Sequence, residues 1–361
     1  MYNGVRTPAA GHKVGRVVGT GRKRKRKASP MQGLSLLADI GGTNARFALS
    51  ESSETAPHDA HAASISGVRI LPCADYPSLE AAAEAYLALE APGARPKQAA
   101  IALAGPVTGD RIRMTNLPWE FSIDGVRRSL SLDRLEVVND FTAVALSIPA
   151  LGADDRAQVG DGAPVADAPI AVLGPGSGLG VSSLIPRKRS NGQPGWTALA
   201  TEGGHVTMAP VNDRESAILG VLRKQFDHVS AERVLSGPGL VNLYEAVCLA
   251  DGKEPARLTA AQITAAATTH AGDPACIEAL ETFCGMLGTV AGNLALSIGA
   301  RGGVYIAGGI APRILSFFTH SRFRKRFVEK GRMRDYLGPI PTYVVTHPLP
   351  AFLGLTAKLD G

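Results

Sequence analysis

Leu36-Leu-Ala-Asp-Ile-Gly-Gly-Thr-Asn-Ala-Arg-Phe-Ala-Leu49 runs an apolar strand into a carboxylate, then a glycine turn with a hydroxyl and an amide, then a second strand. Gly41 and Gly42 can take backbone angles closed to other residues and expose successive N–H groups. Thr43 and Asn44 add side-chain donors, so the turn is suited to cupping phosphate oxygens. A carboxylate does not face a phosphate without a cation between them, so Asp39 reads as a holder of Mg²⁺, directly or through water. The plainer alternative is an ordinary hairpin built from turn-forming residues.

Around this segment the chain has 361 residues, 45% hydrophobic and 19% charged, enough for a large core and more readily two domains than one. Its 41 glycines against 5% aromatic residues favour many strand and loop junctions over a helical bundle, which points to an α/β class. Polar residues such as Asn293 and Ser297 interrupt the most apolar helical segment, so no membrane span is expected. The net charge of +6 is unevenly placed. Residues 1–33 hold nine Lys or Arg and no Asp or Glu, and taking these nine away leaves −3 on the rest. The cluster Arg22-Lys-Arg-Lys-Arg-Lys27 lacks a periodic apolar face and reads as a disordered arm, able to meet nucleic acid or an anionic surface. It is no secretory signal, having no apolar centre, and Met31 is an alternative start. Cys73, Cys248, Cys276 and Cys284 form no C-x-x-C pair, so neither a zinc site nor a disulfide framework is expected, which fits a reducing cytosol.

Strand-like runs at 34–39, 45–50, 68–73, 98–104 and 135–139, with a helical pattern at 79–90, predict a mixed sheet with helices packed on it. Asn139 and Asp140 stand where a strand gives way to helical spacing that Pro149 stops. The weakly periodic stretch Leu151 to Pro169 reads as a boundary between two lobes. Beyond it, strand, glycine turn and strand recur at 170–173, 174–178 and 179–185, a weak internal repeat. Helical spacing follows at 213–226, 239–250 and 274–298, then strands at 303–307 and 342–346 and a short helix at 352–358.

Gly174-Pro-Gly-Ser-Gly-Leu-Gly180 lets backbone N–H groups approach an anion, with the Ser177 hydroxyl added. Its spacing fits neither G-x-G-x-x-G nor G-x-x-x-x-G-K-[ST]. Two such turns, one per lobe, make sense if one polyphosphate lies between them. Asp140 has the chemistry of a general base, with the amide of Asn139 beside it to orient a hydroxyl. Capping of the following helix is the competing reading. Glu202-Gly-Gly-His205 and Glu232 add acceptors and an imidazole suited to a polyhydroxylated ligand, since each sugar hydroxyl both donates and accepts.

Taken together, Ala38-Asp-Ile-Gly-Gly-Thr-Asn-Ala-Arg46, Met114-Thr-Asn116 with Trp119, Val138-Asn-Asp-Phe-Thr-Ala143, Gly174 to Gly180, Glu202-Gly-Gly-His205, Glu232-Arg-Val-Leu-Ser-Gly-Pro-Gly239 and Ile306-Ala-Gly-Gly-Ile310 resemble bacterial glucokinases from Leu34 to the C-terminus. The resemblance implies a two-lobed actin-like, ribonuclease H-like sugar kinase fold with an interlobe cleft. It implies a small α/β domain of residues 34–150 plus 341–361, a large one of 151–340, and a tail, residues 1–33, outside both. It implies ATP-dependent phosphorylation of glucose at the 6-hydroxyl, at the entry to glycolysis, by a cytoplasmic homodimer. Asp140 would be the base, with Asn139, Glu202, His205 and Glu232 on the other sugar hydroxyls. Ala38, Asp39, Ile40, Gly41, Gly42 and Thr43, with Gly174, Gly176, Ser177 and Gly178, would hold the ATP phosphates. Asp39 would stand near Mg²⁺, and Gly308 and Gly309 by the adenosine. Pro175 and Ser177 stand where the family has Ala and Thr, which bears on nucleotide affinity. The zinc-binding cysteine cluster of the related repressor and kinase family is missing. A kinase for mannose or fructose, or a sugar-sensing regulator using the basic tail on DNA, are the rival readings; no helix-turn-helix pattern accompanies that tail.

Overall fold

All seven residues of β1 (Leu34–Ile40) are buried, the mark of a central strand covered on both faces. In this computed structural model, which describes residues 33–51, 64–114, 117–189, 192–269 and 272–360, β1 pairs antiparallel with β2 (Asn44–Glu51), and β2 with β3 (Ser64–Pro72). On its other side β1 runs parallel to β4 (Gln98–Leu103), and β4 to β7 (Arg134–Asn139). A small hairpin, β5 (Arg111–Arg113) and β6 (Glu120–Ser122), lies between these in sequence, and α1 (Leu79–Glu90) and α2 (Ile123–Ser129) cover the sheet. The expected basic arm, apart from Gly33, lies outside the described residues, as do Thr115 and Asn116.

The second sheet repeats the first. Its order is β11 (Pro194–Ala200), β10 (Leu179–Lys188), β9 (Ile170–Pro175), β12 (Val304–Ile306) and β13 (Thr342–Val345), with β8 (Arg156–Gln158) added at the edge. Three antiparallel strands are again followed by two parallel ones. The strand, turn, strand repeat seen in the sequence is thus the visible part of two five-stranded arrays with the same order. Because β13 belongs to the second sheet, only the residues after Val345 leave it.

Helices α4 (Asp213–Leu222), α5 (Gly237–Ala250), α6 (Ala260–Thr268) and α7 (Pro274–Ile298) build the larger core with β9 and β12. The Asp273 carboxylate caps α7 at the Cys276 N–H (2.9 Å), Pro274 opens it, and Gly299 closes it at φ 66°. By length and composition α7 could cross a bilayer, but 72% of its apolar window is buried, as in a core helix. The short helices α8 (Leu315–His320), α9 (Phe323–Val328) and α10 (Arg334–Leu337) finish this half. Arg326 of α9 and Glu215 of α4 form a buried ion pair there. Arg326 Nη2 also donates to Thr289 Oγ1 of α7 (2.7 Å).

Two helices occupy the space between the sheets: α3 (Asp140–Ser147) and α11 (Pro350–Asp360). Leu37, Ala48, Ala100 and Ala102 of the first sheet pack with Ala143, Phe352 and Leu355. On the other side Ala145 and Ile148 meet Ile170, Val172, Leu184, Tyr305 and Tyr343 of the second sheet. The pair touches closely at Gly354, where a Cβ would overlap the Ala143 carbonyl. In an unconstrained helix Gly→Ala stabilises by about 1 kcal/mol. Gly354→Ala is expected to do the opposite, lowering unfolding free energy in urea by about 2 kcal/mol as α11 is pushed off α3.

Candidate functional site

A cleft of about 650 Å³ opens between the two sheets, and both hairpins send residues toward it. Its walls include Asp39, Asn139 and Asp140 from the first half, Gly174, Gly176, Ser177 and Gly178 of the second turn, and Glu202, Glu232, Gly308 and Gly309. Residues from six of the seven quoted stretches therefore meet in one place; of the seventh, the described residues Met114 and Trp119 do not line the cleft. Asp140 occupies the first turn of α3, at the corner where β7 ends.

The cap of α3 is Asn139. Its Oδ1 accepts the N–H groups of Phe141 (2.9 Å) and Thr142 (3.1 Å), and its Nδ2 donates to the Gly105 carbonyl (3.1 Å). The role of Asn139 here is first to hold the corner. Asp140 accepts the Phe141 N–H at 2.7 Å and lines the cleft. Burial pushes its carboxyl up to about 6. The Phe141 N–H opposes this, the charges of Asp39 and Glu202 add to it, and the Asn139 hydrogen bond opposes it. A carboxylate near neutral pKa, held by the helix start yet open on one side, is suited to taking a proton.

Asp39 is only 8% exposed and pairs with Arg46, its cross-strand neighbour on β2. Burial raises its pKa while the guanidinium, through charge and hydrogen bond, works against that. Among the described residues no cluster of three or more metal-ligating side chains exists. A lone buried carboxylate suits Mg²⁺, which keeps waters and takes its other ligands from substrate phosphates. Ala38 and Ile40 are fully buried, so only their backbone is available. Gly41, Gly42 and Thr43 form the turn itself, with the Gly41 N–H on the Asn44 carbonyl (2.9 Å). They continue from Asp39 without lining the cleft.

In the second turn, Gly176 has open space where a Cβ would be, as close approach of a ligand needs. Gly174 and Gly180 serve another end: a Cβ on either would overlap the ring of Phe141, which lies across the hairpin. Glu232 reaches the same hairpin, its Oε2 accepting the Leu179 N–H at 2.8 Å, and the Gly237 N–H donates to the Gly176 carbonyl (2.7 Å). Gly308 takes φ 80°, and a Cβ there would stand 2.5 Å from the Pro175 carbonyl. Glu202 lines the cleft with its side chain 62% exposed. His205 does not line it; its ring lies 4.0 Å from Glu202 and faces a separate hollow bounded by Phe226, His228 and Arg233.

Sequence reasoning passed over Phe141, Arg46, Thr201, Arg313 and His347, all of which line the cleft. Phe141 and Arg46 stood inside quoted motifs, but nothing local shows that a ring needs glycines over thirty residues away. Thr201, with its hydroxyl on the Val181 carbonyl (2.7 Å), carried no signal beyond standing next to Glu202.

Comparison with known proteins gives one answer. The family model described as Glucokinase matches residues 36–361. A glucokinase of Paramagnetospirillum magneticum is 54% identical over 325 residues, covering 90% of this chain and 97% of the relative. The crystal structure of a glucokinase from an Antarctic psychrotroph has a TM-score of 0.80 at 38% identity, covering 91% of this chain and 99% of that one. A ROK family glucokinase of Streptomyces griseus, solved with glucose and AMPPNP, shares the fold at a TM-score of 0.56 and 21% identity, covering 91% and 100%.

The seat of Phe141 can be measured by itself. Phe141→Ala and Gly180→Ala are each expected to lower unfolding free energy by about 2 kcal/mol, one by losing the ring's packing and the other by displacing it. The double variant should lose less than the sum, because the methyl then enters space the ring has left. Urea titrations of the four proteins read the coupling directly.

Proposed function

The chain belongs to the glucokinase family, enzymes that phosphorylate glucose, and from that premise we propose that Asp140 is the base that takes the proton of the glucose 6-hydroxyl as the γ-phosphoryl group of ATP is transferred to it. The fold is accordingly that of the actin-like sugar kinases. The observation that carries the residue assignment is the Asp140 carboxylate, raised by burial to about 6 and facing the cleft that both glycine-turn hairpins border.

In the transfer the O6–H bond breaks, its proton passes to an Asp140 oxygen, O6 bonds to the γ-phosphorus, and ADP leaves with the bridging oxygen. Most of the protein's contribution is placement and charge compensation rather than covalent chemistry. Glu202 and Glu232 accept from the remaining sugar hydroxyls, and the Asn139 amide donates. His205 joins them through Glu202, or after the halves close. Ser177 and Gly178 present donors to phosphate oxygens, with open space at Gly176 for their approach, Gly42 and Thr43 do so from the opposite hairpin, and Gly308 and Gly309 border the adenosine. Mg²⁺, held by Asp39, would neutralise charge on the phosphates. Arg46 balances the charge of Asp39 from the neighbouring strand.

Water competes with the sugar hydroxyl for the same phosphoryl group, so the two halves close on glucose first. The moving bodies are the first sheet, residues 34–150 with α11, and the second sheet with its helices. Support for this division is the pairing of each sheet with one face of α3 and α11. A cytosolic homodimer rests on the family likeness, and analytical ultracentrifugation reads the stoichiometry.

A coupled ADP-release assay with glucose tests the activity. Asp140→Asn is expected to cut kcat by at least a hundredfold while glucose affinity stays within a fewfold. In the wild type, kcat/KM should fall as pH drops through about 6, because the base must be ionised. The same shift acts on stability with a definite sign. The folded pKa lies above the unfolded 3.8, so stability is full below that value and declines as pH rises through about 6. Asp140→Asn is therefore expected to raise Tm relative to wild type at pH 8 and to lose that advantage near pH 4. A Tm difference independent of pH would contradict the raised carboxyl.

A further inference from the structure

The charges lining the cleft do not balance in the way a polyphosphate requires. Four carboxylates line it: Asp39, Asp140, Glu202 and Glu232. No lysine does, although phosphate loops commonly rely on one to meet the β and γ oxygens. Of the cationic side chains there, Arg46 is engaged by Asp39. His347 accepts the Leu349 N–H through Nδ1 (3.1 Å). Among the described residues that line the cleft, Arg313 is the guanidinium with no hydrogen bond or ion pair.

An exposed arginine in water is ordinary; what distinguishes this one is its footing. It stands in a single 3₁₀ turn, Ala311–Ile314, whose Ala311 and Ile314 are buried on either side of it, so the backbone beneath it is anchored. That turn is in register with the second glycine turn: the Ala307 N–H donates to the Leu173 carbonyl (2.7 Å) and the Ile310 N–H to the Pro175 carbonyl (3.4 Å). Arg313 and the open backbone of Gly176 are thus fixed relative to one another on one wall of one cleft. Donors without net charge line that wall otherwise. A triphosphate with one divalent cation still carries surplus negative charge, and a planar guanidinium fork matches two phosphate oxygens at once.

We propose that Arg313 is a nucleotide-binding residue of this kinase, its guanidinium pairing with the polyphosphate of ATP where no lysine is present to do so. The assignment rests on ATP being the phosphoryl donor. It makes the far wall of the cleft cationic and the sugar end acidic, so that nucleotide and sugar sort to opposite ends by charge.

Binding constants separate this from the alternatives. Kd values for ATP, ADP, AMP, adenosine and glucose are measured by calorimetry on the full chain for wild type, Arg313→Gln and Arg313→Lys. Arg313→Gln is expected to weaken ATP and ADP by about tenfold or more, with adenosine and glucose unchanged within twofold. Arg313→Lys should recover part of the loss, and added salt should narrow the gap between wild type and Arg313→Gln. Unchanged ATP affinity in Arg313→Gln overturns the proposal. So does an equal loss for adenosine, which would put the guanidinium on the base. A wild type that binds glucose but not ATP would instead remove the donor assignment on which the proposal stands. Intact glucose binding in the variants reports that they fold.

Discussion

The ring of Phe141 lying across Gly174 and Gly180 ties the two halves of this protein together at the cleft. Phe141 follows Asp140, so the contact that seats α3 on the second hairpin also sets where the carboxylate stands. Its partner hairpin carries Gly176 and Ser177, so the same packing sets the distance between the proposed base and the loop proposed to hold phosphates. Two of the four glycines in that loop are therefore there for a side chain from the other half. Gly176 has open space where a Cβ would stand, whereas a Cβ on Gly178 would meet the Glu232 carboxylate.

The cleft is divided electrically as well as sterically. Asp140 gains its raised pKa from burial and from the neighbouring charges of Asp39 and Glu202, while the Phe141 N–H and Asn139 pull the other way. Holding a carboxylate in such surroundings costs folding energy, and the compensation lies in the packing beneath it: Ala143 against Gly354, Phe352 and Leu355 against the first sheet. Strength in the α3 and α11 pair is thus what permits an uncomfortable charge at its end.

Much of this was legible in the chain, and the reasons differ from place to place. The α7 boundaries read correctly because Asp273, Pro274 and Gly299 are local signals at both ends. Helix α6 carried an equally local capping box, Thr259 with Gln262, that was passed over for want of strong periodicity. Strands β5, β6 and β8 have three residues each, too few for any alternation, and form only because a partner is brought alongside. At the site, the corner at 139 and 140 was visible, but which of two adjacent polar residues caps the helix was not. Both types cap well, and the Gly105 carbonyl that orients Asn139 lies far off in sequence. His205 stood in a motif with Glu202, yet one 3₁₀ turn rotates it toward a different surface.

Glu232 accepts the Leu179 N–H at the root of the second hairpin while also lining the cleft, where it is proposed to meet the sugar. A hydroxyl that draws on this carboxylate must share it with the hairpin, so occupancy at one end alters the firmness of the loop at the other. Thermodynamic reciprocity then requires that whatever the sugar does to nucleotide affinity, the nucleotide does to sugar affinity by the same factor. One hydrogen bond thereby links the two ends of the cleft.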